Sequence, residues 1–368
     1  MILRFVEQKE TAKSITEIGG LNTLGDTMNS FYLDIQQQPE ALRRFVAHHS
    51  ASNADTHHTR PRRPDRVLLT GMGASYHVAL WASYLLQTLD IWAVAIESSD
   101  LIHFSSSLLK GVDQVVFISQ SGASAEVLPF VKILPPTVEL TAITNDPESP
   151  LATSAQMVRT LEAGDESTVA TRTYVNSMAC MWLLAHEWQR SGTDDHSSTL
   201  IRLADRMAQI LANAGAIATL WLEQMSSVKQ LFFLGHGPHL PTARQSAMMI
   251  GEWAKHASIG TSIGAFRHGL IEIVDGDTGI VILGSGGMTD SSTELLADEL
   301  RSYGANVLMI VEGQTASTHQ LDHAPREFDE MLGSLLDVIP AQLFAEALAR
   351  HLQITYGFRH IGKVVGRL

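Results

Sequence analysis

Two stretches of this chain share one pattern: LLTGMGASYH at residues 68–77 and VVFISQSGASAE at residues 115–126. Each is a short apolar run that stops at a cluster of Gly and Ser, with helix-compatible sequence beyond it. An unalternating apolar run of this length reads as a strand buried on both faces. A helix that follows it has to cross back over the sheet, so the pattern predicts a parallel sheet covered by helices.

The pattern recurs. From Arg66 the chain alternates RVLLTGMG, the helical ASYHVALWASYLLQTL, the strand IWAVAIES, QVVFISQSG, the helix SAEVLPFVKIL and the strand ELTAITND, which makes residues 66 to about 190 one α/β domain. A second block starts near Val228: VKQLFFLGHGPH, the helical ARQSAMMIGEWAKHA, the strand TGIVILGSGG, the helix STELLADELRSYG and the strand NVLMIVEG. The element order repeats at low residue identity, the mark of a tandem duplication, and a long helical stretch over 176–227 joins the copies. Ahead of both, LDIQQQPEALRRFVAHH is helical around Pro39, and HHSASNADTHHTRPRRPD reads as a polar linker with four solvated histidines. The expected divisions are a helical segment and linker over 1–60, a first domain over 61–215, and a second domain with its tail over 216–368.

Composition narrows the function classes. At 45% hydrophobic and 18% charged the chain is too apolar for disorder, and it has no run of about 18 uncharged apolar residues to span a membrane. The start, MILRFVEQKE, lacks the form of a signal peptide, so a cytoplasmic location is expected. The single cysteine, Cys180, excludes an intramolecular disulfide framework and a thiolate-rich metal site. A net charge of −13, from 26 basic and 39 acidic residues, argues against nucleic acid as a partner.

Both Gly-rich stretches sit at the carboxyl ends of strands, where open α/β sheets hold ligands. In SQSGAS, residues 119–124, backbone amides, serine hydroxyls and a helix N-terminus suit a phosphate dianion. A plain strand-to-helix turn with Ser as the cap is the competing reading. GMGASY lacks the third Gly of a dinucleotide fingerprint, and no Walker A motif is present. The expected ligand is therefore a small phosphate ester rather than a nucleotide.

GMGASY and SQSGAS resemble the Gly-Thr-Ser and Ser-Gln-Ser-Gly motifs of sugar isomerase (SIS) domains. The tandem arrangement resembles the isomerase half of the glutamine–fructose-6-phosphate aminotransferases, from FYLDIQQQPEALRR to the C-terminus. The resemblance implies two tandem SIS domains, each a three-layer α/β/α unit with a parallel sheet. By position it implies that Gly73, Ser75, Ser119, Gln120, Ser121 and Ser124 hold a sugar phosphate, with Ala74 where the family often has Thr and Ala123 where it often has Glu. DESTVATRTYVNS is one residue shorter than the family's Glu-x-x-Val-Ala-(Ser/Ala)-Thr-Lys segment, and there Val169 would line the sugar pocket and Glu166 brace its loop.

Glu252 and His268 lie 16 residues apart, the spacing of the family's catalytic Glu and His. Moving a proton between C1 and C2 of an open-chain sugar needs a carboxylate base, and opening the ring needs a proton shuttle near O5. Lys363, five residues from the end, corresponds to the family's closing Lys, an amine that forms a Schiff base or stabilises an enediolate. Arg359 would steady this tail against a dimer partner. The chain departs from the aminotransferases at Met249, where they have Lys, at Ala265 for Glu and at Leu270 for Pro.

Met1 is followed by Ile2, not by the Cys of a glutaminase domain, so glutamine-dependent synthesis is not expected. The resemblance implies a phosphosugar isomerase/deaminase acting on an amino-sugar phosphate such as glucosamine 6-phosphate. A fructosamine-6-phosphate deglycase and a non-catalytic sugar-phosphate sensor are the alternatives. No cofactor or metal is called for, the cation role falling to amides, Lys363 and Arg267. A homodimer in which His268 of one subunit completes the other's site is implied as well.

Overall fold

The computed structural model describes residues 29–54, 61–189, 196–284, 290–316, 326–355, 357–360 and 362. Two helices lead in, α1 (Ser30–Gln36) and α2 (Gln38–Ala54). They are separate because Pro39 has no N–H for the carbonyl of Ile35; the side-chain amide of Gln38 donates to that carbonyl instead, at 3.0 Å. The helix α2 runs through His48 and His49, which the sequence placed in the linker. His49 is buried, its Nε2 3.0 Å from the Thr160 carbonyl, so it is a packed residue and not a solvated one. His57 and His58 lie outside the described residues.

The first sheet follows as β1 (Arg66–Gly71), α3 (Ala74–Thr88), β2 (Trp92–Glu97), α4 (Ser98–His103), β3 (Gln114–Ile118), α5 (Val127–Ile133), β4 (Glu139–Thr144), α6 (Pro150–Ser154) and β5 (Met157–Thr160). Three helices take the place of the expected long connector: α7 (Arg172–Gln189), α8 (His196–Ala212) and α9 (Ala214–Met225). The second sheet comprises β6 (Gln230–Gly235), α10 (His239–Met249), a π turn at Ile250–Ala254, β7 (Ser258–Ser262), α11 (Ile263–Arg267), β8 (Thr278–Leu283), α12 (Asp290–Ser302), β9 (Asn306–Val311) and β10 (Gln314–Ala316). The helices α13 (Glu330–Leu336) and α14 (Val338–His351) close the described fold.

Both sheets have one strand order. The first runs β2-β1-β3-β4-β5 and the second β7-β6-β8-β9-β10, each copy placing its first strand between its second and third. The first sheet is parallel throughout, whereas β10 runs antiparallel to β9, so the second is mixed where a parallel sheet was expected. The central strands earn their place by burial on both faces: all five residues of β3 and all six of β8 are buried. In α8, Leu200, Leu203, Ala204, Met207, Ile210 and Leu211 are buried at helical spacing, which fixes its inner face.

One core joins the halves. Leu69 and Val116 of the first sheet share a buried cluster with Phe233, Val281 and Leu308 of the second. Polar contacts fix the register across the junction: His77 Nδ1 lies 2.9 Å from Gln245 Oε1, and the Trp81 indole N–H donates to Ser334 Oγ at 2.9 Å. The stretch Glu330–His351 is long and apolar enough to cross a membrane, yet its apolar 18-residue window is wholly buried here and serves as a core element.

Candidate functional site

A cavity of about 320 Å³ opens where the strands of the first sheet end. Its first wall is the turn from β1 into α3. Gly73 has φ of +53°, a backbone that L side chains rarely adopt, and it carries the chain around so that Ser75 faces the cavity. The second wall is the loop after β3, where Ser119, Gln120, Ser121 and Ser124 line the space. Gly122 within it has φ of +59°, and a Cβ there would lie 2.1 Å from Ser149 Oγ, so no other residue fits.

The loop amides supply the anion-binding potential. Gly122 N donates to Ser119 O at 3.0 Å and Ala123 N to Ser121 Oγ at 3.2 Å. The amides of Gln120, Ser121 and Ser124 donate to no partner among the described residues. The regular helix starts only at Val127, three residues beyond Ser124, so loop amides rather than the helix end line the cavity, against the expectation of a helix beginning at Ser124. No Lys, Arg or His is among the described lining residues, and an anion here meets amides and hydroxyls.

The third wall is the segment from Thr168 to Ser177, with Val169 buried in it. Its shape is held by two buried groups. Glu166 accepts from Thr171 N at 2.9 Å, from Thr171 Oγ1 at 2.7 Å and from Thr173 Oγ1. Asp34 of α1 takes a hydrogen bond from Thr168 Oγ1 at 2.7 Å and an ion pair from Arg172 at 2.7 Å, which ties the N-terminal helix to the pocket wall.

The second half of the chain supplies the roof. The π turn after α10 buries Ile250, Trp253 and Ala254 and leaves Glu252, partly buried, on the cavity. Phe31 packs on Trp253 with ring centroids 4.6 Å apart, so α1 supports this turn too. Lys255 then adopts φ of +55° and ends the turn. Its ammonium donates to the carbonyl of Glu252 and, at 2.8 Å, to that of Gly357, fastening the turn to the C-terminal tail. Burial, then the Arg359 charge, hold Lys255 below the ordinary lysine value. Phe358 and Gly362 of the tail complete the lining.

Eight of the ten residues picked from the sequence therefore meet in one cavity: Gly73, Ser75, Ser119, Gln120, Ser121, Ser124, Val169 and Glu252. Lys363 lies outside the described residues, next to Gly362. His268 does not join them; it is exposed at the end of α11 and lines no part of its own chain's cavity. Arg267, given a cation role from the sequence, pairs with Glu299 at 2.7 Å instead. Met249 points into the core, fully buried, while Met248 lines the cavity.

Sequence reasoning missed Met72, Glu126, Tyr174, Ser177, Met248 and Phe358 among the lining residues. Helical spacing held a signal for some: Met248 is one turn before Glu252, and Ser177 one turn after Thr173. His77, one step behind the first wall, is pushed by burial down to about 4, the Gln245 contact opposing that shift.

Two segments, residues 62–187 and 224–351, match the SIS domain family, and the chain belongs to it. Among curated proteins it is 26% identical over 298 residues to the glutamine–fructose-6-phosphate aminotransferase of Methanothermobacter thermautotrophicus, covering 80% of this chain and 49% of that one. It is 25% identical over 347 residues to the same-named protein of Pyrobaculum aerophilum, covering 92% of this chain and 58% of that one. The chain thus spans about half the length of the curated relatives it matches. Among solved structures, glucosamine-6-phosphate deaminase of Thermotoga maritima superposes with a TM-score of 0.76 at 21% identity, over 92% of this chain and all of that one. Tagatose-6-phosphate ketose/aldose isomerase of Escherichia coli gives 0.75 at 22%, over 93% and 99%. At such identities the likeness speaks for the fold.

Proposed function

We propose that the chain is a phosphosugar isomerase/deaminase that acts on an amino-sugar phosphate such as glucosamine 6-phosphate by moving a proton between C1 and C2. The observation that carries this reading is the meeting of the serine- and amide-lined strand ends of the first half with Glu252 of the second in one cavity. Amides and hydroxyls without a described partner suit the phosphate, and a partly buried carboxylate facing the same space suits a base. The names of the relatives and of the similar folds, aminotransferase, deaminase and ketose/aldose isomerase, belong to the chemistry of sugar phosphates.

In this reading the phosphate sits against Ser75, Ser119, Gln120, Ser121 and Ser124, beside Gly73, and Val169 packs on the sugar. Glu252 takes the proton from one carbon and returns it to the next, while amide dipoles stabilise the enediol or enamine between. Lys363 supplies an amine at the tail. His268 opens the ring in the cavity of a partner subunit, which its exposure and its distance from its own cavity support. The protein then works as a cytoplasmic homodimer with shared sites.

The test is turnover of a panel. Ammonia released from glucosamine 6-phosphate establishes the deaminase, and an amino acid released from a fructosamine 6-phosphate establishes the deglycase in its place. Saturable binding with no product from any member of the panel would contradict the enzyme reading and leave a sensor. A fully active monomer in sedimentation would remove the shared site.

A further inference from the structure

The chemistry above leaves one carboxylate of the cavity unused. Glu126 follows directly on the SQSGAS loop, lines the cavity, and is 5% exposed. Among the described residues its Oε2, sealed from solvent, accepts no hydrogen bond. A buried acceptor without a donor is costly, and a buried carboxylate without a counter-charge more so.

Two other buried carboxylates are provided for, while Asp337, whose Oδ2 likewise accepts no hydrogen bond among the described residues, has His239 Nδ1 3.0 Å away. Glu166 takes three donors from Thr171 and Thr173, and Glu312 accepts from the amides of Glu327 at 3.1 Å and Phe328 at 2.8 Å. Glu126 lines the cavity of about 320 Å³ without such donors, and no Lys, Arg or His lies among the described lining residues to serve it. A cationic nitrogen answers both deficits, because it brings a donor and a positive charge together.

We infer that Glu126 receives the cationic nitrogen of the ligand and selects amino sugars or sugar–amine conjugates over hydroxy sugars carrying the same phosphate. This rests on the reading of the cavity as a phosphosugar site, and it adds a residue that distinguishes between such sugars. The group binds and discriminates; the proton transfer stays with Glu252.

Calorimetric titration of the full chain tests it, with Glu252→Gln as background so that ligand is not consumed. Glucosamine 6-phosphate and glucose 6-phosphate are compared with and without Glu126→Gln. The inference predicts that Glu126→Gln weakens the amino sugar at least tenfold and leaves glucose 6-phosphate within twofold, and that Glu126→Asp recovers part of the preference. An equal loss for both sugars, or no loss for either, overturns the inference while the phosphosugar reading stands. Binding of neither sugar to the background protein would instead remove the phosphosugar reading and this inference with it. Thermal unfolding separates a structural role: the amide variant should unfold at or above the wild-type temperature, since it discards an unpaired buried charge, and a marked fall would also overturn the inference.

Discussion

The two sheets share one strand order, yet their carboxyl ends differ: the first opens on a cavity of about 320 Å³, whereas the described residues at the second enclose about 10 Å³. The turn after the first strand of each copy shows how. GMGAS at 71–75 and GHGPH at 235–239 place a positive-φ glycine at the same step, Gly73 at +53° and Gly237 at +47°. Two residues on, the first copy has Ser75 and the second His239. The residue after the third strand is Ser119 in one and Gly284 in the other. A Cβ on Gly284 would lie 2.2 Å from His239 Cδ2, so the ring occupies the space that the first copy leaves to a ligand. The strand order is shared, and among the described residues the larger side chain at one position fills the space that stays open in the first copy. The second copy then contributes through its π turn, which delivers Glu252 to its neighbour's cavity.

The largest expected effect comes from unplugging the second copy. His239 Nδ1 lies 3.0 Å from Asp337 Oδ2, off hydrogen-bond geometry, and both side chains are buried. His239→Ala should cost about 3–5 kcal/mol in chemical denaturation, from the void and from a buried carboxylate left without its neighbour. Sugar-phosphate affinity in the first copy should not change by more than a few-fold.

Next comes the junction between the copies. His77 titrates near 4 in the folded protein, below the ordinary 6.5, so the unfolded chain takes up the proton first. Stability is therefore full above about pH 6.5 and falls as pH drops towards 4, by up to about 3 kcal/mol. His77→Asn should remove that part of the slope in melts taken across this range, and an unchanged slope would dissociate His77 from it.

Importing the plug gives a similar but smaller figure. Ser75→His should weaken sugar-phosphate binding more than a hundredfold, about 2.7 kcal/mol, with the fold intact by circular dichroism. The smallest effect belongs to single hydroxyls: Ser124→Ala should cost about tenfold in affinity, close to 1.4 kcal/mol, because one hydrogen bond to a charged group is lost. If Ser75→His binds as well as wild type, the comparison between the copies does not explain which one is open.

Much of this was legible in the sequence. The central strands showed as apolar runs because they are buried on both faces, and the Gly and Ser clusters showed as turns because few other residues meet those backbone demands. The edge strands β5 and β7 did not show. SIGTS in β7 has small and polar residues with Ile259 exposed, which carries no strand pattern until β6 pairs with it. The π turn was hidden too: its Trp253 meets Phe31, more than 200 residues away in sequence, only in the folded chain. Glu126 was passed over for a related reason: a carboxylate beside a loop reads as solvated, and only the packed fold buries it.

The central claim is that Glu252 of one copy acts on a sugar phosphate held by the other. Proton NMR in D₂O with fructose 6-phosphate and glucosamine 6-phosphate tests it most directly, by following deuterium uptake at C1 and C2 for the wild-type protein and Glu252→Gln. The account predicts uptake catalysed by the wild type and slowed about 10²–10⁴-fold in the variant, with binding retained. Uptake at the same rate in both proteins, or none in the wild type with either sugar, would contradict it.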